Sequence, residues 1–201
     1  MFLYIQDKTL PLRTCFTAAD IAGTRKGTIM TTTLRLSPGN LTLDTLRELY
    51  ERSPTLTLDD ASRARVDDAE ATVSAILDSG RTVYGINTGF GVLAQTSIPR
   101  ASLTELQRNL VLSHSTGVGD ALDDATVGLI LALKATSLAR GHSGVRWTII
   151  EALLALYNAR VYPCIPAKGS VGASGDLAPL AHLSATLLGE GRTHHQGREM
   201  P

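Results

Sequence analysis

Between residues 41 and 52, apolar side chains recur at Leu43, Leu46, Leu49 and Tyr50 with polar residues between them. That spacing predicts a short amphipathic helix. Ser53-Pro54 ends it, because the residue before a proline is pushed out of helical angles. A longer helix is expected from about Leu58 to Ser79, with Val66, Ala69, Val73, Ile76 and Leu77 on one face. Arg63, Asp67, Asp68 and Glu70 lie mostly off that stripe as solvated surface, and Gly80 is placed as a C-terminal stop. Ser102 to His114 reads as a third helix turning Leu103, Leu106, Leu110 and Val111 inward. Asp123 or Asp124 caps a fourth, which runs to about Arg140 and ends at Gly141. Its few charges predict burial on more than one side. Ser143 is expected to cap a fifth, from Val145 to Arg160, with Ile149, Ile150, Leu153, Leu154 and Tyr157 inside and Trp147 in the core. Leu177 to Leu188 has helical character as well.

The stretches between helices are of three kinds. Residues 1–29 show neither period, and Gly23 to Gly27 is loop-like. Thr82 to Tyr84 predicts a very short strand, followed by an irregular loop permitted by Gly85, Gly89 and Gly91. Val161 to Lys168 is extended, fixed by Pro163 and Pro166, and Gly189-Glu190-Gly191 opens a hairpin-like segment. No repeat or low-complexity tract occurs. The pattern is that of a mainly α protein.

Composition narrows the classes. Nineteen basic and nineteen acidic residues cancel in a chain of 201, with no long run of either sign. That argues against a nucleic-acid partner or a membrane-surface patch. Apolar residues make up 43%, yet none of the apolar runs approaches the roughly 18 residues of a spanning helix. Two cysteines in unlike contexts, Cys15 and Cys164, point to a reducing compartment rather than a disulfide framework. Met1 to Ile5 lacks the basic start and apolar block of a signal peptide, so the cytoplasm is expected.

Chemistry concentrates in Gly169-Ser-Val-Gly-Ala-Ser-Gly-Asp-Leu-Ala-Pro-Leu-Ala-His182. Glycines on both sides of Ala173-Ser174 remove the Cβ atoms that would stop the backbone folding tightly on itself. The Gly175 amide nitrogen can then approach the Ala173 carbonyl carbon and close a five-membered ring. Loss of water from that ring and from the Ser174 side chain leaves a methylidene-imidazolone, an electrophile made from backbone. Ser174 or Asp176 could instead simply cap the following helix. A serine-hydrolase elbow is excluded, since the position two after Ser174 is Asp176 rather than glycine. A phosphate-binding loop is excluded too, because Lys168 precedes the glycines instead of closing them. His194-His195 stands without a carboxylate, cysteine or further histidine at ligand spacing, so no metal site is assigned.

This fourteen-residue run resembles the signature of the aromatic amino-acid ammonia-lyases, and its Ala-His ending is most similar to the histidine ammonia-lyases among them. Val83-Tyr-Gly-Ile-Asn-Thr-Gly-Phe-Gly91 is similar to the family's second hallmark, Ser113-His114 to a substrate-selecting pair, and the run from Met30 to a histidine ammonia-lyase opening. The resemblance implies that Ala173, Ser174 and Gly175 form the 4-methylideneimidazole-5-one group (MIO) autocatalytically, with no metal or diffusible cofactor. It implies Tyr84 as catalytic base and His114 as the residue that selects an imidazole substrate, with Asp176 supporting the cyclising backbone. Taken alone, Tyr84 would be a packing residue and His114 a helix-end histidine meeting terminal carbonyls.

The implied activity is non-oxidative deamination of L-histidine to urocanate and ammonia, the first step of histidine degradation, by a homo-oligomer that is tetrameric at full length. Its implied fold is the N-terminal helical and loop domain of the MIO ammonia-lyase fold plus the start of its central long-helix bundle. Residues 1–29 are expected to be a non-native or disordered extension from a misplaced start, with a genuine N-terminal arm as the competing reading, and 30–201 the MIO-bearing domain, with the C-terminal helical half absent. Alternatives are another MIO enzyme (a tyrosine ammonia-lyase or aminomutase) and an inactive truncated helical fragment that needs its missing half.

Overall fold

The computed structural model describes residues 32–89, 94–170 and 177–201. It is mainly helical, as the periodicity predicts, but opens with a strand–helix–strand unit. Strand β1 (Thr33–Leu36) pairs in parallel with β2 (Thr55–Leu58), Leu34 beside Leu56 and Leu36 beside Leu58. Helix α1 (Leu43–Arg52) makes the crossover. Thr42 caps it, its hydroxyl accepting the Thr45 amide at 3.2 Å, and Ser53 closes it in the left-handed region at φ 45°. Along β2 the alternation sends Leu56 and Leu58 into the core and Thr57 outward. Neither strand is anticipated by helical periodicity, and β2 ends on Leu58, the residue expected to begin the second helix. That helix, α2 (Ala61–Asp78), starts correspondingly late.

The edge of β2 is closed by a side chain. Asn158 accepts the Leu56 amide at 2.8 Å and donates to the Leu56 carbonyl at 3.0 Å, satisfying both backbone groups as a neighbouring strand would.

At the centre lies α4 (Asp124–Leu138), packed against α1 on one side and α5 (Trp147–Asn158) on another. Val127, Leu131, Ala135 and Leu138 form one buried stripe, and Gly128, Ala132 and Thr136 bury the flank beside it, so burial on more than one side is observed. Asp123 caps the helix, accepting the Thr126 amide at 2.9 Å and the Thr126 hydroxyl at 2.7 Å. Ile149, Ile150, Leu153 and Tyr157 of α5 complete the core. Burial is also the main reason the Tyr157 phenol is pushed up to about 12.

Four local expectations are corrected. Thr82–Tyr84 is not a strand: the chain there enters a turn, the Val83 amide donating to the Asn87 side chain and the Val83 carbonyl accepting the Ile86 and Asn87 amides. Ser143 does not cap α5, which begins at Trp147 with Arg146 in the capping position and no side-chain bond. Leu43 and Tyr50 stay 81% and 46% exposed, because α1 meets its neighbours through Leu46 and Leu49. Trp147 is half-buried at the rim, donating to Glu151 at 2.9 Å with the Arg63 guanidinium 5.6 Å from its ring centre.

Helix α3 (Leu103–His114) follows a single 3-10 turn at Arg100–Ser102 and packs against α6 (Leu177–Leu187). Two small antiparallel sheets join these pieces. Strand β3 (Val118–Ala121) pairs with β5 (Pro166–Lys168), and β4 (Tyr162–Pro163) with β6 (Thr193–His195), which turns back into β7 (Arg198–Met200). Gln196 and Gly197, both at positive φ, make the two-residue turn of the expected hairpin. Among the described residues, no helix is long and apolar enough to cross a membrane.

Candidate functional site

Tyr84 sits on the turn after α2, 63% exposed, above residues that are almost wholly buried. Asn87, 5% exposed, builds that turn from below. Its Oδ1 accepts the Val83 amide at 2.8 Å, and its Nδ2 donates to the Arg81 carbonyl at 2.8 Å. The Val83 carbonyl in turn accepts the amides of Ile86 and Asn87. Thr88, 2% exposed, donates its hydroxyl to the Gly89 carbonyl at 2.9 Å. A bridge to the returning chain anchors the whole: Thr88 pairs with Ser97, and the Ile98 amide donates to the Asn87 carbonyl at 2.8 Å. A buried amide that satisfies neighbouring backbone groups on both its atoms rigidifies a loop at small cost. The turn thus presents a phenol on a fixed base.

His114 closes α3. A carbonyl can only accept, so the 2.8 Å contact between its Nδ1 and the Leu110 carbonyl places a proton on Nδ1. In the neutral ring the lone pair is then on Nε2, the atom left to meet a ligand. The Ser113 hydroxyl, itself donating to Leu110 at 3.0 Å, lies 3.2 Å from the same Nδ1. The helix-end histidine and the substrate-selecting histidine are therefore compatible readings: one nitrogen serves each.

Ala173, Ser174, Gly175 and Asp176 lie outside the described residues. What is described is the ground on either side. A Cβ at Gly169, beyond β5, would stand 3.0 Å from the Ala178 Cβ in the first turn of α6 and 3.2 Å from the Gly117 Cα. The chain before and after the Ala-Ser-Gly sequence therefore starts and ends at nearly the same place, with no room for a side chain.

His114 is brought to the same junction. Three residues beyond it, the Gly117 amide donates to His182 Nε2 on α6 at 3.0 Å, and β3 then runs along β5. At the far end of the pair, Arg108 of α3 and Glu190 after α6 make an ion pair at 2.5 Å. Burial pulls the His182 pKa below the ordinary imidazole value. Asn87, Thr88, Gly117 and His182 all lie within or beside the sequence hallmarks, yet the sequence reading gives them no role. Their function depends on partners that only the fold supplies.

His194 is less isolated than its spacing suggests. Its Nδ1 meets Asp124 Oδ1 at 2.6 Å, across seventy residues, and His195 Nδ1 donates to the Arg160 carbonyl at 3.1 Å. Beside His194 lies a cavity of about 530 Å³ whose walls include Asp123, Cys164 and Glu199, but neither Tyr84 nor His114. Burial, with the Glu199 carboxylate second, raises the Cys164 thiol, against a thiolate there. Among the described residues, no three His, Cys, Asp or Glu side chains gather to hold a metal.

Comparison with known proteins places this arrangement. The family model for aromatic amino acid lyases matches residues 41–201. A histidine ammonia-lyase of Salmonella paratyphi B is 59% identical over 169 residues, which is 84% of this chain and 33% of that protein. Histidine ammonia-lyase from Trypanosoma cruzi superposes with a TM-score of 0.76 at 39% identity, over 84% of this chain and 32% of its own. The phenylalanine aminomutase of Pantoea agglomerans gives a TM-score of 0.77 at 32% identity, over 83% and 32%. The chain spans about a third of the length of the curated relatives it matches.

Proposed function

Since this chain belongs to the aromatic amino acid lyase family, we propose that the native protein is a carbon–nitrogen lyase that converts L-histidine to urocanate and ammonia without oxidation. The observation that carries the choice of histidine is the anchored imidazole of His114. With Nδ1 tied to Leu110, its Nε2 lone pair is an acceptor for the N–H of a substrate imidazole, where an apolar pair would suit a phenyl ring.

Two difficulties attend the reaction: the amine leaves poorly and the β-hydrogen is barely acidic. The MIO group, formed from Ala173, Ser174 and Gly175, supplies an electrophile that makes the amine a better leaving group. Tyr84 is the base that takes the β-proton on its phenolate oxygen, held at the end of the Asn87-supported turn. His114 holds the imidazole, so that proton and base meet in a fixed geometry. Asp176 supports the cyclising backbone. The reading extends to a homotetramer in the cytoplasm, to the first step of histidine degradation as its place, and to 30–201 as the MIO-bearing domain; these rest on family resemblance.

A second reading, an aminomutase or tyrosine ammonia-lyase, is favoured by the superposition on the phenylalanine aminomutase. A phenol could also donate to His114 Nε2. The test is a substrate panel with protein expressed from the native gene, following urocanate, coumarate and cinnamate by ultraviolet absorbance and β-amino acids by chromatography. Turnover of histidine and not of tyrosine or phenylalanine is expected; turnover of tyrosine alone would replace this proposal with the second.

A further inference from the structure

His182 stands where three separate pieces of chain meet. It lies on α6 and accepts the Gly117 amide on Nε2 at 3.0 Å. Donation by Gly117 requires the lone pair on Nε2, and so the proton on Nδ1. The fit leaves no slack. A Cβ at Gly117 would lie 3.1 Å from Nε2, 3.3 Å from Cδ2 and 3.1 Å from the Pro166 Cβ of β5. On the other side, Gly169 is wedged between Gly117 and Ala178. Two glycines and one imidazole thus let the loop after His114, the end of β5 and the start of α6 approach to backbone contact.

We infer that His182 is a positioning residue, which fastens the loop carrying His114 to the helix that follows the Ala173-Ser174-Gly175 sequence. The placement of the His114 loop against α6 is then set by one hydrogen bond of defined tautomer instead of by loop flexibility. Partial burial lowers the pKa of the ring, which favours the lone pair that the bond needs. An apolar replacement leaves the Gly117 amide without its acceptor. Glutamine, whose Oε1 reaches about as far as Nε2, retains one; asparagine falls short.

The clasp is independent of what the enzyme acts on, but its catalytic consequence rests on the proposed function. Protein from the native gene would be compared with His182→Leu, His182→Asn and His182→Gln. Amide hydrogen exchange would be read at Gly117 and at Leu131 in the core, and KM and kcat would be measured with histidine. Exchange at Gly117 should rise by roughly tenfold or more in the Leu and Asn variants, the scale of one lost hydrogen bond, and return to near the parent rate in Gln. Leu131 should stay unchanged. KM should rise by a similar factor with kcat less affected, again rescued by Gln. Unchanged exchange at Gly117 in both Leu and Asn variants would overturn the clasp. Faster exchange with KM untouched would overturn the positioning role. If tyrosine proves to be the substrate and histidine is not turned over, the substrate reading fails while the exchange result still decides the clasp; the Asn and Gln pair carries the test should the Leu variant not fold.

Discussion

Asn87 and Val83 are bonded in both directions: the Asn87 side chain accepts the Val83 amide at 2.8 Å, and the Asn87 amide donates to the Val83 carbonyl at 3.2 Å. Between them lies Tyr84, the proposed base, 63% exposed on the turn that this reciprocal pair braces. Replacing Asn87 by Ala removes both side-chain bonds and frees the turn. We expect kcat to fall by roughly tenfold to a hundredfold with KM nearly unchanged, since loosening the base costs geometry and not affinity. Asn87→Asp, which keeps the acceptor for Val83 but loses the donor to Arg81, should fall between. Steady-state kinetics of the three proteins would check the order.

His114→Leu removes the only ring nitrogen proposed to face substrate while leaving α3 intact. A lost hydrogen bond of about 1–3 kcal/mol predicts a drop of roughly tenfold to a hundredfold in kcat/KM for histidine. The inhibition constant of phenylalanine, measured as a competitive inhibitor, should change much less, so the two changes side by side are the measurement.

The Asp123 cap makes a prediction in pH. Its carboxyl is held below the ordinary carboxylate value of 3.8, first by the Thr126 amide and then by the Thr126 hydroxyl. A depressed folded-state pKa means the stabilisation is fully present above 3.8 and is lost as pH falls through the folded value. Asp123→Ala should cost about 1 kcal/mol at neutral pH, as helix caps typically do. The difference between parent and variant should shrink as the medium is acidified through that range, measured by urea unfolding at a series of pH values.

Two leucines should behave oppositely. Leu131, wholly buried in α4, is expected to cost about 2–5 kcal/mol when cut to Ala. Leu43, although on the apolar repeat of α1, is 81% exposed and should cost less than about 0.5 kcal/mol. Urea midpoints of both variants would test whether the core lies on α4 as described.

These contrasts mark what the sequence discloses. Where a residue's role depends on near neighbours, it is readable: Asp123 caps the next turn, Ser53-Pro54 stops α1, and the stripe of α4 is buried. Roles that depend on distant chain are not. Asn158 closes the edge of β2 from a hundred residues away, and His182 reaches Gly117 across sixty-five. β1 and β2 are short enough that their alternation acquires meaning only once they pair. Tyr84 and His114 are singled out through resemblance; the Leu110 carbonyl beside His114 is the helix-end partner the sequence anticipates, whereas Asn87 beneath Tyr84 emerges only from folded contacts. Ala173, Ser174, Gly175 and Asp176 are legible by motif alone.

The central claim is that Ala173, Ser174 and Gly175 condense into the electrophile. Intact-mass spectrometry of active protein expressed from its native gene, beside a Ser174→Ala control, tests it most directly. The account predicts a chain lighter than its encoded mass by two water molecules, a deficit the control does not reach. A fully active sample at the encoded mass would contradict it.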